Sequence, residues 1–370
     1  MLTWPQALAW RMRRQLLDPV TSASVHDVVR RLGGVQTQVP SFAELAVRVR
    51  RENSRSGEVA RALSEGRLIK TWAMRGTLHL ITPEQGGAYL SLIAAGRTWE
   101  TPAWERWCGL SPKGIESLRV AVREALDGKV LTREELAAAV SKRRSLSHVG
   151  EFLLGSWGTL FKPIAWQGDL CLGPSRGGRV TFQHPANASP RWAGLRDPDE
   201  AAPMVIAAYF GAYGPGTIAN FRSWLSRGRV SARQVRKWFD AAAGLLTEVR
   251  IGEERLLMLA KDADELAATK PTKAVRLLPG FDQYVLGVGT EDGHVIPPKR
   301  RTAVSRAAGW IAPIVVAGGV VEGTWEIADD RVRVAWFRES GPAPAGQLRA
   351  EVRRLSVIQG RDLGLVVSLA

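Results

Sequence analysis

The sequence predicts an α+β protein of three tandem winged-helix units followed by a small C-terminal β-barrel. Helical patterns precede paired strand patterns three times in the first 270 residues, and short apolar runs split by Gly and Pro follow. A length of 370 residues is enough for several domains that each bury a core. The domains are expected at residues 1–110, 111–195, 196–270 and 271–370.

The first unit shows helices followed by a hairpin, which is the order of a winged helix. Ser24, with Asp27 three residues later, marks a helix start, and Arg75-Gly76 marks a tight turn between strands. The expected elements are a helix over 24–32, a helix over 57–65 and strands over 68–73 and 77–81.

A short polar segment separates the first two helices of this unit. Gly33-Gly34 precedes it and Pro40 follows it, so a continuing helix is disfavoured. If the segment is extended, its period of two places Gln36 and Gln38 on one side. Two amides are then expected to face a common space.

The same order of helices followed by a hairpin is expected twice more along the chain. In the second unit, Thr132 with Glu135 forms a capping box. The remaining expected elements of this unit are a helix over 151–165 and strands over 169–172 and 179–183, with an arginine at the hairpin tip. Those of the third unit are helices over 198–213, from 217 and from 231, and strands over 245–251 and 255–259.

The sequence pattern changes near residue 270 to short apolar runs, where a small β-barrel or sheet is expected to begin. A single helix is expected near 345–357. The expected strands are 275–278, 285–288, 310–316, 320–327, 332–337 and 363–369.

Charge indicates a polyanionic partner. The chain has 51 Lys and Arg against 36 Asp and Glu, a net charge of +15, and residues 1–80 alone carry 13 against six. A positive surplus concentrated in one module is typical of nucleic-acid binding. In winged helices, a helix and the basic wings contact duplex DNA. The candidate DNA-binding residues are Arg61, Arg67, Arg75, Arg176, Arg179, Arg233, Arg236 and Lys237.

The motifs do not support a metal-binding, nucleotide-binding, secreted or membrane protein. The two cysteines and five histidines lack the spacing of metal ligands, and no phosphate-binding Gly-rich loop with Lys occurs. No signal peptide or membrane-spanning run is evident, so we expect a cytoplasmic, nucleoid-associated protein. Neither a metal, a cofactor nor a membrane partner is expected, and three fused units without a dimerisation segment favour a monomer.

Five short motifs occur in order along the chain. They are Arg14-Gln15-Leu16-Leu17, Gly34-Val35-Gln36-Thr37-Gln38, Met74-Arg75-Gly76-Thr77-Leu78-His79-Leu80, Leu277-Leu278-Pro279-Gly280-Phe281-Asp282 with Gly287, and Gly323-Thr324-Trp325. Together they resemble the AlkZ-like winged-helix DNA glycosylases and extend from end to end of the sequence.

The resemblance implies three winged helices with a C-terminal β-barrel. It also implies a monofunctional glycosylase that excises alkylated purines, with some members acting on bulky adducts or crosslinks made by bacterial genotoxins. The family's catalytic Gln, apolar residue, Gln falls on Gln36 and Gln38. Thr37 departs from the apolar middle position, and residues 288–292 depart from the His, Asp and Arg pattern expected after Gly287.

The chemistry of glutamine limits the substrate. A neutral amide accepts and donates hydrogen bonds but takes up no proton, so it can position water and stabilise an oxocarbenium-like transition state without driving out a poor leaving group. A purine alkylated at N7 or N3 already carries positive charge and leaves as a neutral base. The expected partner is therefore double-stranded DNA that contains cationic alkylated purines.

Three further residues are candidates near this chemistry. His79 is a candidate for orienting water, contacting a phosphate or satisfying a buried carbonyl. Thr77 and Asp282 are candidate supporting groups, and a capping role is the other interpretation of Asp282. The rival functions are a winged-helix DNA-binding protein or transcriptional regulator without chemistry, and a nuclease or lyase, for which clustered carboxylates or a nucleophilic amine are missing.

Overall fold

The computed structural model describes residues 2–155 and 158–370. The α-helices are α1 Trp4–Arg14, α2 Val25–Arg31, α3 Pro40–Arg48, α4 Glu58–Ser64, α5 Pro83–Ala94, α6 Pro102–Cys108, α7 Pro112–Ala125, α8 Arg133–Ser141, α9 Val149–Gly155, α10 Phe161–Trp166, α11 Pro185–Ala188, α12 Pro198–Tyr213, α13 Ile218–Ser226, α14 Ala232–Ala241, α15 Ala263–Ala268, α16 Gln283–Leu286, α17 Arg301–Val304 and α18 Ala345–Gln359. The strands are β1 Val35–Gln36, β2 Ile69–Trp72, β3 Leu78–Ile81, β4 Leu131–Thr132, β5 Cys171–Leu172, β6 Thr181–Gln183, β7 Leu246–Ile251, β8 Glu254–Leu259, β9 Val275–Leu278, β10 Ile314–Ala317, β11 Val320–Ala328, β12 Arg331–Trp336 and β13 Gly364–Leu369.

The chain folds into two compact units that are discontinuous in sequence. The first comprises the residues up to Val59, Ile206–Trp224 and Ala242–Ala370, and the second comprises Ala60–Val205 and Leu225–Ala241. Each unit draws on more than one of the four consecutive domains expected from the sequence, whose division stays a prediction.

Most of the helices that the sequence predicted are present near their expected positions. Ser24 caps α2 by accepting a hydrogen bond from the backbone N–H of Asp27, and Thr132 and Glu135 form the expected capping box of α8. The helix expected over 151–165 is instead two helices, α9 and α10, and residues 156 and 157 lie outside the described part of the chain. Gly158, with φ of 77°, lies between them in the left-handed conformation that glycine adopts at least cost.

The second unit is organised by antiparallel strand pairs. Within it the strands run in the order β3-β2-β5-β6-β4, so the hairpin β2–β3 and the hairpin β5–β6 lie in one sheet. Both hairpins were expected, although their strands are shorter than the apolar runs. That these helices and hairpins constitute winged helices stays a prediction.

The first unit holds an open sheet where a barrel was expected. Its five strands run in the order β13-β12-β11-β10-β9, and β13 pairs with β12 in parallel. The described residues form no closed barrel, so the expected β-barrel is wrong and the alternative expectation of a sheet is confirmed. The outer side of β9 is occupied by α18, because the Glu351 carboxylate accepts hydrogen bonds from the backbone N–H of Leu277, at 3.4 Å, and from the Arg276 guanidinium, at 3.2 Å.

One expected strand of the first unit is also wrong. Residues 285–288 were expected to be extended, but Asp282 caps the N-terminus of α16 through the backbone N–H of Tyr284 at 2.8 Å. A short apolar run is compatible with a buried helix as well as with a strand. The capping role considered for Asp282 is confirmed.

A buried ion pair holds Asp282 to the chain that follows α3. The two guanidinium nitrogens of Arg50 donate to the two carboxylate oxygens at 2.7 and 2.8 Å, and both side chains are fully buried. Arg50 also donates to the carbonyls of Gln15 and Ala46, at 3.0 and 2.7 Å. Bidentate geometry and additional partners are the conditions under which a buried pair is tolerated.

Replacing Arg50 by Ala is expected to lower the free energy of unfolding by about 3–5 kcal/mol, because an unpaired carboxylate would stay buried. Denaturant unfolding measures this loss. The matched control is Arg333→Ala, which breaks an exposed pair with Asp329 and is expected to cost less than about 1 kcal/mol. Equal losses in the two variants would contradict the role of the buried pair.

Candidate active site

The segment that carries the two glutamines follows α2 in the first unit. Gly33 and Gly34, with φ of 61° and 117°, turn the chain from the helix into β1. β1 ends at Gln36, the chain bends at Gln38, and Pro40 opens α3. Two positive-φ residues and a helix start thus confine this loop from both sides.

The two glutamines differ in exposure. Gln36 is 6% exposed and the intervening Thr37 3%, whereas Gln38 is exposed to solvent. The regular strand ends at Gln36 and the chain bends at Gln38 before α3, so the two amides facing a common space stays a prediction. Of the two amides, Gln38 is the one on the surface.

A buried tyrosine supports the start of this loop. The Tyr213 hydroxyl donates to the carbonyl of Leu32 at 2.5 Å, and it lies 3.5 Å from the side-chain oxygen of Gln283. Gly287 makes room for the ring, since a Cβ at that position would lie 2.1 Å from a Tyr213 ring carbon. The sequence signalled Gly287, but it did not indicate Tyr213.

An aromatic cluster supports the helix that follows the glutamines. Phe42 of α3 packs against Phe281 and Trp310, with ring centroids 6.4 and 6.0 Å away. A Cβ on Gly280 would lie 2.6 Å from the Phe42 ring and 2.7 Å from the carbonyl of Ile311, so only glycine fits. The motif around Gly280 therefore acts as a support for the glutamine segment, together with the Arg50–Asp282 pair.

His79 is fully buried in β3 of the second unit. Its Nδ1 donates to the carbonyl of Thr77 at 3.0 Å, and its Nε2 has no hydrogen-bond partner within the described residues. Burial, followed by the charge of Arg75, lowers the pKa of His79 to about 3. The imidazole is therefore neutral near pH 7, and Thr77 supports it through its backbone.

The residues expected to bind DNA all belong to the second unit. Arg61 of α4, Arg179 of the hairpin tip, and Arg233 and Arg236 of α14 are exposed. Arg75 is only 8% exposed, with φ of 59° in the turn between β2 and β3.

Three others of this set have acidic partners. Arg67 pairs with Glu65, Arg176 pairs with Glu135, and Lys237 pairs with Asp199. Among the elements that carry these residues, α14 has the best-defined basic surface. It buries Val235, Trp238 and Phe239 and exposes its basic residues on the other side.

The described residues contain no group of three or more His, Cys, Asp or Glu side chains arranged to hold a metal ion. No helix within them has the length and apolar content that crossing a membrane requires.

Comparison with known proteins identifies the class. The family described as DNA glycosylase AlkZ-like matches residues 29–357. An interstrand DNA cross-link repair glycosylase of Streptomyces sahachiroi is 46% identical over 359 residues, which are 97% of each chain. The solved structure of the Streptomyces sahachiroi DNA glycosylase AlkZ superposes with a TM-score of 0.97 at 45% identity and covers 100% of both chains.

The protein is thus a DNA N-glycosylase and not a DNA-binding regulator without enzymatic activity. Within that class, the chain belongs to the AlkZ-like family. The resemblance inferred from the five motifs is confirmed.

The buried His79 is expected to make stability depend on pH. Its folded pKa of about 3 lies below the unfolded value, so stability is full above about pH 6.5 and falls as the pH drops towards 3. In this range the wild type should lose about 1.4 kcal/mol per pH unit relative to His79→Gln. Parallel denaturant titrations of the two proteins measure the difference. Identical slopes would show that the imidazole takes up a proton in the folded state.

Proposed function

We propose that this enzyme hydrolyses the N-glycosidic bond of cationic alkylated purines in double-stranded DNA, including N7-guanine adducts that form interstrand crosslinks. The observation that supports it best is the 46% identity, over 97% of both chains, to an interstrand cross-link repair glycosylase. The chain of this protein also presents a solvent-exposed glutamine on a loop that glycines, an aromatic cluster and a buried ion pair confine.

The two glutamines have different roles in the proposed reaction, according to their exposure. Gln38 is the exposed amide, so it is the group that reaches the deoxyribose and holds a water near C1′. Gln36 is buried, so its role is to orient the loop and to add its dipole beside the oxocarbenium-like transition state. Neither amide takes up a proton, and the leaving group must therefore be activated by its own positive charge.

DNA is held by basic residues of the second unit. The exposed face of α14 carries Arg233 and Arg236, and the tip of the β5–β6 hairpin carries Arg176 and Arg179. Guanidinium groups bind phosphates through paired hydrogen bonds without reading sequence. Sequence-tolerant binding suits an enzyme that must act wherever damage occurs.

Gln38→Ala is expected to reduce the rate of 7-methylguanine release from methylated duplex DNA by about 100-fold, since a positioned dipole at the transition state is lost. Single-turnover release of the free base measures this rate. Gln36→Ala is expected to reduce it as well, and its thermal unfolding must be checked because the site is buried.

The matched control is Gln347→Ala, an exposed glutamine of α18, which should retain full activity. Absence of base release by the wild type, on this substrate and on bulkier N7-guanine adducts, would remove the proposed function. Wild-type rates in both glutamine variants would remove the role of the pair.

Affinity for undamaged duplex is expected to fall steeply with salt. Arg236→Gln and Arg179→Gln should each make the slope of log affinity against log salt shallower by about 0.9, the contribution of one phosphate contact. Fluorescence anisotropy over a salt series measures the slopes. Arg333→Gln, in β12 of the first unit, serves as the charge-matched control, and an equal change in that variant would contradict the assignment to these surfaces.

A further inference from the structure

A cavity of about 560 Å³ opens on the second unit, and the proposed function does not use it. Its walls come from the segment around α6 and from α10, and Arg229 lies at its edge. Cavities that hold small organic ligands have volumes of about 300–1,000 Å³, so this one is large enough for a nucleotide.

Three indoles line the cavity. Trp104 and Trp107 meet edge to face, with ring centroids 5.1 Å apart and an interplanar angle of 82°. Trp107 is 42% exposed, which is unusual for so large an apolar ring and leaves part of it open to a ligand. Trp166 is 3% exposed, and its indole N–H has no acceptor within the described residues.

Two cations flank these rings. Lys162 is half-buried and Arg229 is exposed, and both line the cavity. Burial, followed by the charges of Arg229 and Arg227, lowers the pKa of Lys162, and burial with Arg227 lowers the pKa of Arg229. No carboxylate contributes to either shift, so an anion would relieve the repulsion among these three groups.

The cavity is tied to the Met74–Gly76 turn, which is part of the family's motif in this chain. A Cβ on Gly76 would lie 3.3 Å from a guanidinium nitrogen of Arg229 and 3.4 Å from a ring carbon of Trp166. Arg229 also donates to the carbonyl of Arg75 at 3.5 Å. The turn therefore fixes the positions of one cation and one indole of the cavity.

We propose that this cavity binds an extrahelical nucleotide of the DNA strand, with its phosphate on Lys162 and Arg229 and its base stacked on Trp107. The site rests on the proposed function, because it assumes that DNA is the ligand. A phosphate alone would satisfy the cations but would leave the indoles unused. A base inside an intact duplex has both faces covered by its neighbours, so only a nucleotide outside the stack fits both features.

Stacking is the interaction that holds the base, because the Trp166 indole N–H is buried out of reach of a ligand in the cavity. Stacking on an aromatic ring tolerates every base, because each base has a π-face. The site should therefore prefer unpaired nucleotides without strong preference among bases.

The test compares a duplex that carries a two-thymine bulge with one that carries a bulge of two abasic residues. The two bulges have the same phosphates and differ only in their bases. The wild type is expected to bind the thymine bulge about tenfold more tightly, equivalent to about 1.4 kcal/mol. In Trp107→Ala this ratio should fall to about one, whereas Trp107→Phe should retain it.

Lys162→Gln tests the phosphate contact. It should weaken binding of both bulged duplexes relative to a flush duplex, while the charge-matched control Lys129→Gln, on an exposed turn, should behave as wild type. Competition by thymidine 5′-monophosphate shows whether a free nucleotide suffices. Displacement of the bulged duplex by micromolar monophosphate would reassign the cavity to free nucleotides.

A ratio of one in the wild type, or a tenfold ratio that survives in Trp107→Ala, would overturn the proposal. Its failure is distinct from failure of the proposed function, which is measured as release of 7-methylguanine from methylated flush duplex. Base release without a preference for the thymine bulge would remove only the cavity's role.

Discussion

The buried pair between Arg50 and Asp282 is the constraint on which the candidate active site depends. It joins the chain just after α3 to the loop between β9 and α16, 232 residues further along. The same loop contributes Gly280 and Phe281 to the aromatic cluster around Phe42. Because α3 begins directly after the glutamine segment, the position of that segment is set by residues from the C-terminal part of the chain. Electrostatic catalysis by fixed dipoles requires such preorganisation.

Much of the fold was predictable where the signals are local. Ser24, Thr132 and the turn at Arg75 depend on hydrogen bonds and φ values within a few residues, and these elements appear where they were expected. The expectation of a β-barrel was wrong for a non-local reason. The pairing of β13 with β12 and the attachment of α18 to β9 through Glu351 depend on contacts between distant segments. No pattern within a short window reports which edge of a sheet a helix will cover.

The candidate site shows the same division. The glycines and the motif around Gly280 mark places where backbone and rings approach closely, and the sequence signalled them. Arg50 gave no signal, because it stands among other arginines after α3 and only its burial against Asp282 distinguishes it. The difference in exposure between Gln36 and Gln38 was likewise hidden, since it arises from the bend before α3. Trp104 and Trp107 stand three residues apart in the sequence, whereas Lys162 and Arg229, which line the same cavity, come from distant segments.

The discontinuous first unit has a consequence for how the protein is made. Residues up to Val59 need Ala242–Ala370 to complete their compact unit. A ribosome that adds about 5–20 residues per second leaves Arg50 without Asp282 for roughly 10–50 s. During that interval the Arg50 guanidinium, which is fully buried in the folded protein, is still solvated. The residues of the second unit, which end at Ala241, are synthesised before Asp282. The glutamine loop therefore acquires its buried support only after the chain has been synthesised past Asp282.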